Sequence, residues 1–259
     1  MPNHAVLIAV TLCLAAAPLS LADPTPRGDA STQARRQIIE QRRANPSPEA
    51  LERKARSNAR LRDEGVPVNE HLPARVSVED STRRTAEEVA LRAMALCVVA
   101  VKGEGLEQEI VDMLVQEYRL QDVFSPEEAR FIANPNPTRQ DRVQMSWRYE
   151  NYWTMLWALG FVDTLEKPTT LCNVPLAVTI LQEHGRDGFL AKAKLRPQAE
   201  ILDEADLVYR YNWAVVDARV NDREPPADLE RGVVYERHYA LNWLIGYADQ
   251  AWDHVTTDT

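Results

Sequence analysis

The chain has 259 residues, 45% of them hydrophobic and 27% charged, which suits one large globular domain or two small ones and excludes a disordered chain. Its formal net charge is -9 and only nine residues are glycine. That balance disfavours nucleic acid as a partner, because neutralising phosphates needs a basic face, and it disfavours folds built on glycine-rich phosphate loops.

The charge is unevenly spread. Lys and Arg outnumber Asp and Glu ten to four over residues 27–62 and trail them twenty to thirty-four over 63–259. Residues 5–17 form an apolar run broken only by Thr11. Pro18 ends the run, and Ser20 and Ala22 are small residues at the two positions a signal peptidase reads. The run is shorter than the roughly 20 residues of a membrane span. It predicts a signal peptide over 1–22, cleavage after Ala22, a periplasmic or secreted mature protein and no membrane span after removal. Two cysteines then remain, Cys97 and Cys172. An oxidising compartment permits their pairing, but Cys97 sits in the apolar run 93–101, where a free buried thiol is the simpler expectation.

A basic polar arm follows over 23–46, and a helical domain is expected over 47–259. Ser47 and Pro48 start a mostly polar helix over 48–64, stopped by Gly65. Pro67 and Pro73 make 66–81 an extended connector. Thr85 and Glu88 form a capping box before a helix over 86–102, whose apolar run marks it as central. Gly103 and Gly105 read as a turn between helices, since no strand precedes them. A helix over 106–120 follows, then a short one opened by the Ser125–Glu128 capping box. A long aromatic helix is predicted over 138–159, closed by Gly160. After a loop over 161–174 come a helix over 175–184 ending at Gly185, a short segment over 186–194 and a long helix over 197–221. Asp228 is the expected cap of a final helix over 229–252. Its apolar stripe runs through Leu229, Val233, Leu241, Leu244, Ile245, Ala248 and Trp252 at three- and four-residue spacing. With no strand pair and no repeat, the fold class is all-α, with neighbouring helices mostly antiparallel.

Several motifs carry a resemblance. They are Ala55-Arg56-Ser57, Gly65-Val66-Pro67-Val68, Trp147-Arg148-Tyr149-Glu150, Trp157-Ala158-Leu159-Gly160, and Tyr209-Arg210 with Trp213. Glu236-Arg237-His238 with Ala240-Leu241-Asn242-Trp243, and Trp252-Asp253 through Thr257-Asp258-Thr259, complete the set. Over about 51–259 the chain resembles the DUF 4272 family, a bacterial domain of unknown function. The resemblance implies no activity, cofactor or catalytic residue.

Chemistry is expected, if anywhere, where the aromatic and final helices meet. The candidate polar cluster is Arg148, Glu150, Glu236, Arg237, His238 and Asn242. Trp147, Tyr152 and Trp213 are candidate pocket aromatics. His238 lies on the final helix's apolar stripe, where a general acid–base and a half-buried structural histidine both fit. Arg148 or Arg237 is expected to pair with Glu150 or Glu236 across the two helices. No HExxH, paired CxxC or GxSxG is present, and Asp253, His254 and Asp258 offer too few ligands for a metal. No cofactor is expected. The leading functional expectation is a small-ligand-binding or interaction domain. The alternatives are a hydrolase-like enzyme using Glu236 and His238, and an acidic module for a protein partner.

Overall fold

A computed structural model describes residues 45–258, so the expected signal peptide and residues 23–44 of the basic arm lie outside the described residues. The described residues form nine α-helices and three single turns of 3-10 helix, with no strand among them. The domain is all-α. No helix among the described residues is long and apolar enough to cross a membrane.

Helix α1 (Pro48–Asp63) begins at Ser47, whose hydroxyl accepts from the Ala50 N–H, with proline in its first turn. Helix α2 (Ala86–Gly103) opens with the expected capping box, Thr85 and Glu88 each bonding the other's backbone N–H. Its segment from Ala93 to Gly103 is buried throughout, so α2 is central, as its unbroken apolar run requires. Helices α3 (Gln108–Glu117), α4 (Pro126–Ala133), α5 (Arg139–Ser146), α6 (Arg148–Ala158) and α7 (Val174–Lys192) all pack against it. Helix α9 (Arg231–Leu244) lies on α6 and on α8 (Gln198–Val220), and α8 carries α1. The core therefore runs in a row from α2 through α6, α9 and α8 to α1.

Three expectations need correction. The aromatic helix is interrupted at Trp147, between α5 and α6. The hydroxyl of Ser146 donates to the Val143 carbonyl, and Glu150 closes a tight turn onto the Trp147 carbonyl. Local bonds of this kind bend a helix because they compete with its ladder. The final helix starts at Arg231, capped by Glu230 rather than Asp228, and ends at Leu244 rather than Trp252. Gly246 takes a left-handed φ of 61°, and a Cβ there would lie 2.5 Å from Cβ of Thr82. Glycine alone satisfies both demands. Ala248 and Trp252 thus leave the helical stripe and enter a returning strap. Gly103, finally, does more than turn the chain. A Cβ on it would meet the Ser146 backbone nitrogen at 2.6 Å, so its bareness lets α2 and α5 touch backbone to backbone. The break at Gly185 is present as a non-helical residue inside α7, and both remaining cysteines are free thiols, Cys97 buried and Cys172 half-buried.

Candidate functional site

The structure brings the α6 and α9 charges together crosswise. Arg148, the first residue of α6, donates through Nη1 to Glu236 Oε2 at 2.9 Å and to Asn151 Oδ1 at 3.2 Å. Asn151 Nδ2 donates to the Glu236 carbonyl at 2.6 Å. On the other diagonal, Arg237 Nε faces Glu150 Oε2 at 3.6 Å, an ion pair too long for a hydrogen bond. Each partner of that looser pair also holds the loop after α6. The Cys172 N–H donates to Glu150 Oε1 at 2.6 Å, and Arg237 Nη1 donates to the Glu166 carbonyl at 2.6 Å. Burial pushes the Glu236 carboxyl above the ordinary carboxylate range, with Arg148 and Asn151 pulling it back. Burial likewise raises Glu150, opposed by Arg237 and the Cys172 N–H. Two carboxylates, two guanidiniums and an amide thus face one another, with Arg148 Nε, Glu150 Oε2 and Arg237 Nε left without a hydrogen bond among the described residues.

His238 is fully buried and makes no contact of this kind. It stands two residues from Glu236, and residues so spaced on a helix do not face each other. Burial, reinforced by the nearby Arg75 charge, lowers its pKa to about 3. Its Nε2 lies 3.2 Å from Asn242 Nδ2. Asn242 is oriented by two other bonds, accepting from Arg75 Nη2 through Oδ1 and donating from Nδ2 to the Thr256 carbonyl at 2.7 Å. Nε2 is therefore the acceptor, and that assignment puts the ring proton on Nδ1. Asn242 is an anchor for the strap. Asn212 Nδ2 holds the next carbonyl, that of Thr257, at 3.1 Å, and Trp252 packs edge-on against Tyr239 and Trp243. The strap is thus held through the carbonyls of Thr256 and Thr257.

The three candidate pocket aromatics separate. Tyr152 is buried and donates to the Ala177 carbonyl at 3.0 Å. Trp147 lies flush on Gly232 of α9, where a Cβ would come within 2.3 Å of the ring. Trp213 packs half-buried on the core. A family model described as Domain of unknown function (DUF4272) matches residues 53–255, which takes in α1 through the strap. The chain belongs to the DUF4272 family. No curated protein and no solved structure matches it.

This DUF4272 domain has an opening elsewhere, missed in the reading of the sequence. A pocket of about 280 Å³ lies between α1 and α8, lined in part by Arg53, Arg60, Trp157, Arg196 and Glu204. Arg53 is buried and donates through Nε to Asp203 at 2.9 Å, and it also pairs with Glu49. Arg196 lies over the Trp157 ring at 5.1 Å and donates to the carbonyls of Trp157, Val162 and Asp163. The pattern was available. Residues 53, 56, 57 and 60 form one face of α1, and 200, 203, 204 and 207 form one face of α8. Both faces are polar, so a search for apolar stripes passes them over. Glu204 differs from its neighbours. Burial pushes its pKa up to about 7 against the pull of Arg60 and Arg237, and it forms no hydrogen bond or ion pair with a described residue. Among the described residues no three His, Cys, Asp or Glu converge as a metal-binding set.

Proposed function

We propose that this protein is an exported binding domain whose small ligand enters the α1–α8 pocket, with the α6–α9 charge network as its frame. The observation that carries the reading is Glu204, a carboxylate in a polar pocket that the described residues leave without a hydrogen bond. Buried polar groups in folded proteins are normally satisfied, so a partly buried carboxylate beside open space suits a ligand. The crossed pairs of α6 and α9 enclose no such open space, and their charged groups face one another. Glu236 and His238 also lack what a hydrolase needs, because an effective general base has a proton affinity near the working pH and His238 is held near pKa 3.

Export rests on the apolar run over 5–17 and the small residues before Asp23, and the mature protein in this reading carries the basic arm over 23–46 ahead of the helical domain. The test has two arms. N-terminal sequencing of the protein recovered from the periplasm or medium is expected to begin at Asp23, and full-length protein confined to the cytoplasm contradicts export. A thermal-shift screen of residues 23–259 against metabolites is expected to find a ligand that raises the melting temperature by mass action. That shift should be lost in Glu200→Trp, which fills the pocket mouth. A shift that persists in Glu200→Trp places binding elsewhere and overturns the assignment.

A further inference from the structure

The pocket's charges are already arranged in pairs, and what is left over describes a ligand. Arg53 and Arg56 both engage Asp203, Arg60 engages Glu64 through Nε at 2.8 Å, and Arg196 engages Glu200 at 3.3 Å. Glu204 is the carboxylate outside these pairs. A partly buried carboxylate without a hydrogen bond suits a charged donor, and charge-assisted hydrogen bonds are the strong ones. At the rim, Arg56 and Arg60 are 59% and 46% exposed. Arg56 spends one Nη on Asp203 and Arg60 spends Nε on Glu64, which leaves N–H groups on both guanidiniums directed to no described residue. Those forks suit a planar carboxylate. Between the anionic and cationic ends, Trp157 and Leu207 supply apolar lining. The volume, about 280 Å³, lies just below the roughly 300–1,000 Å³ typical of ligand pockets, which suits a small ligand.

Resting on the binding reading above, we propose that the α1–α8 pocket takes a small zwitterion of the free α-amino acid class, its ammonium on Glu204 and its carboxylate on Arg56 and Arg60. The ligand's side chain then lies against Trp157 and Leu207. A purely anionic ligand would leave Glu204 buried and repelled. A purely cationic one would leave the two rim guanidiniums unused.

Binding of this kind has a pH signature. The ammonium needs Glu204 ionised, and the groups that set its ionisation are Arg60 and Arg237, which favour the charge, and Glu64 and Asp203, which oppose it. With the carboxyl at about 7, affinity is expected to rise as pH rises through neutrality and to be about tenfold weaker at pH 6 than at pH 8.

The test is isothermal titration of the mature protein with the twenty free L-amino acids. The tightest binder is then compared with its N-acetyl form, which lacks the ammonium, and its amide, which lacks the carboxylate. Both derivatives are expected to bind at least about tenfold more weakly than the parent. Glu204→Gln is expected to lose at least about tenfold in affinity and to flatten the pH dependence, and Arg56→Gln with Arg60→Gln to weaken the amino acid but not its amide. Melting curves without ligand confirm that each variant is folded. An N-acetyl form that binds as tightly as the parent, or full affinity in Glu204→Gln, overturns the proposal. So does the absence of binding by every amino acid. If a ligand of another class raises the melting temperature and Glu200→Trp abolishes that shift, the zwitterion is wrong and the binding reading stands. If no compound of any class shifts the melting temperature, both fall.

Discussion

Two polar regions of this molecule look alike in sequence and differ in physics. The α6–α9 network and the α1–α8 pocket both set arginines against carboxylates on paired helices. In the first, Arg148 and Glu236 meet at 2.9 Å, while Glu150 and Arg237 each also bond the backbone of the following loop. In the second, Arg53 is as deeply buried, yet Glu204 is left without a hydrogen bond beside open volume. Charges paired across two packed helices fix a register and hold a loop. An unpaired carboxylate beside open volume is free, in the reading proposed above, to meet a ligand. The concentration of ionisable residues distinguishes neither case, and what separates them is the open volume beside one and the close packing around the other.

The largest expected effect comes from breaking the α6–α9 network. Arg148→Met strands the Glu236 carboxylate in the interior and is expected to cost about 3–5 kcal/mol, since removing one member of a buried pair leaves an uncompensated charge. Urea denaturation reads it, and Arg148→Met with Glu236→Leu should recover much of the loss. Less than about 1 kcal/mol for the single change would mean that the pair is solvated.

Gly232→Ala comes next. The new Cβ would meet the Trp147 ring at 2.3 Å, so α9 must shift from α6 or the indole must move. Overpacking of this kind is expected to cost about 1–3 kcal/mol. The same denaturation curve checks it, and an unchanged midpoint would mean that the contact yields freely.

His238 gives a smaller effect that appears only in acid. Its pKa is about 3 in the fold against the ordinary 6.5 of a histidine, so between those values the unfolded chain takes the proton and the folded chain does not. This contribution is fully present above about pH 6.5 and is lost as pH falls toward 3. At pH 5 the loss is about 2 kcal/mol. Glu150 and Glu236, whose carboxyls are raised, act with the opposite sign and add stability as acid protonates them. His238→Gln is expected to flatten the loss between pH 6.5 and 5, whatever it does at pH 8. An identical slope in variant and parent would show that the ring is solvated.

Much of the fold was legible before any coordinates. The Thr85–Glu88 and Ser125–Glu128 capping boxes mark helix starts because they satisfy orphan N–H groups through side chains three residues apart. The uniform apolar run after Arg92 announced the central helix. The crossing of Arg148, Glu150, Glu236 and Arg237 was expected as a pairing, though nothing in the spacing says that Glu150 and Arg237 would also clasp a loop. The break at Trp147 was hidden, because it depends on the rotamer by which Ser146 reaches Val143. The end of α9 was hidden as well. Gly246 looked like one more helical position, and its role follows from Thr82, far away in the chain. The pocket escaped for a different reason. Its two helix faces are polar, and periodicity of charge does not tell a solvated face from a lined cavity.

The most direct measurement is the melting temperature of Glu204→Gln, with and without the ligand found for the parent protein. If the α1–α8 pocket binds and the α6–α9 network supports, the ligand-free melting temperature changes by no more than the equivalent of about 0.5 kcal/mol, while the ligand-induced rise disappears. A ligand-free protein that melts several degrees lower, with the ligand-induced rise intact, would contradict the account and make Glu204 part of the frame.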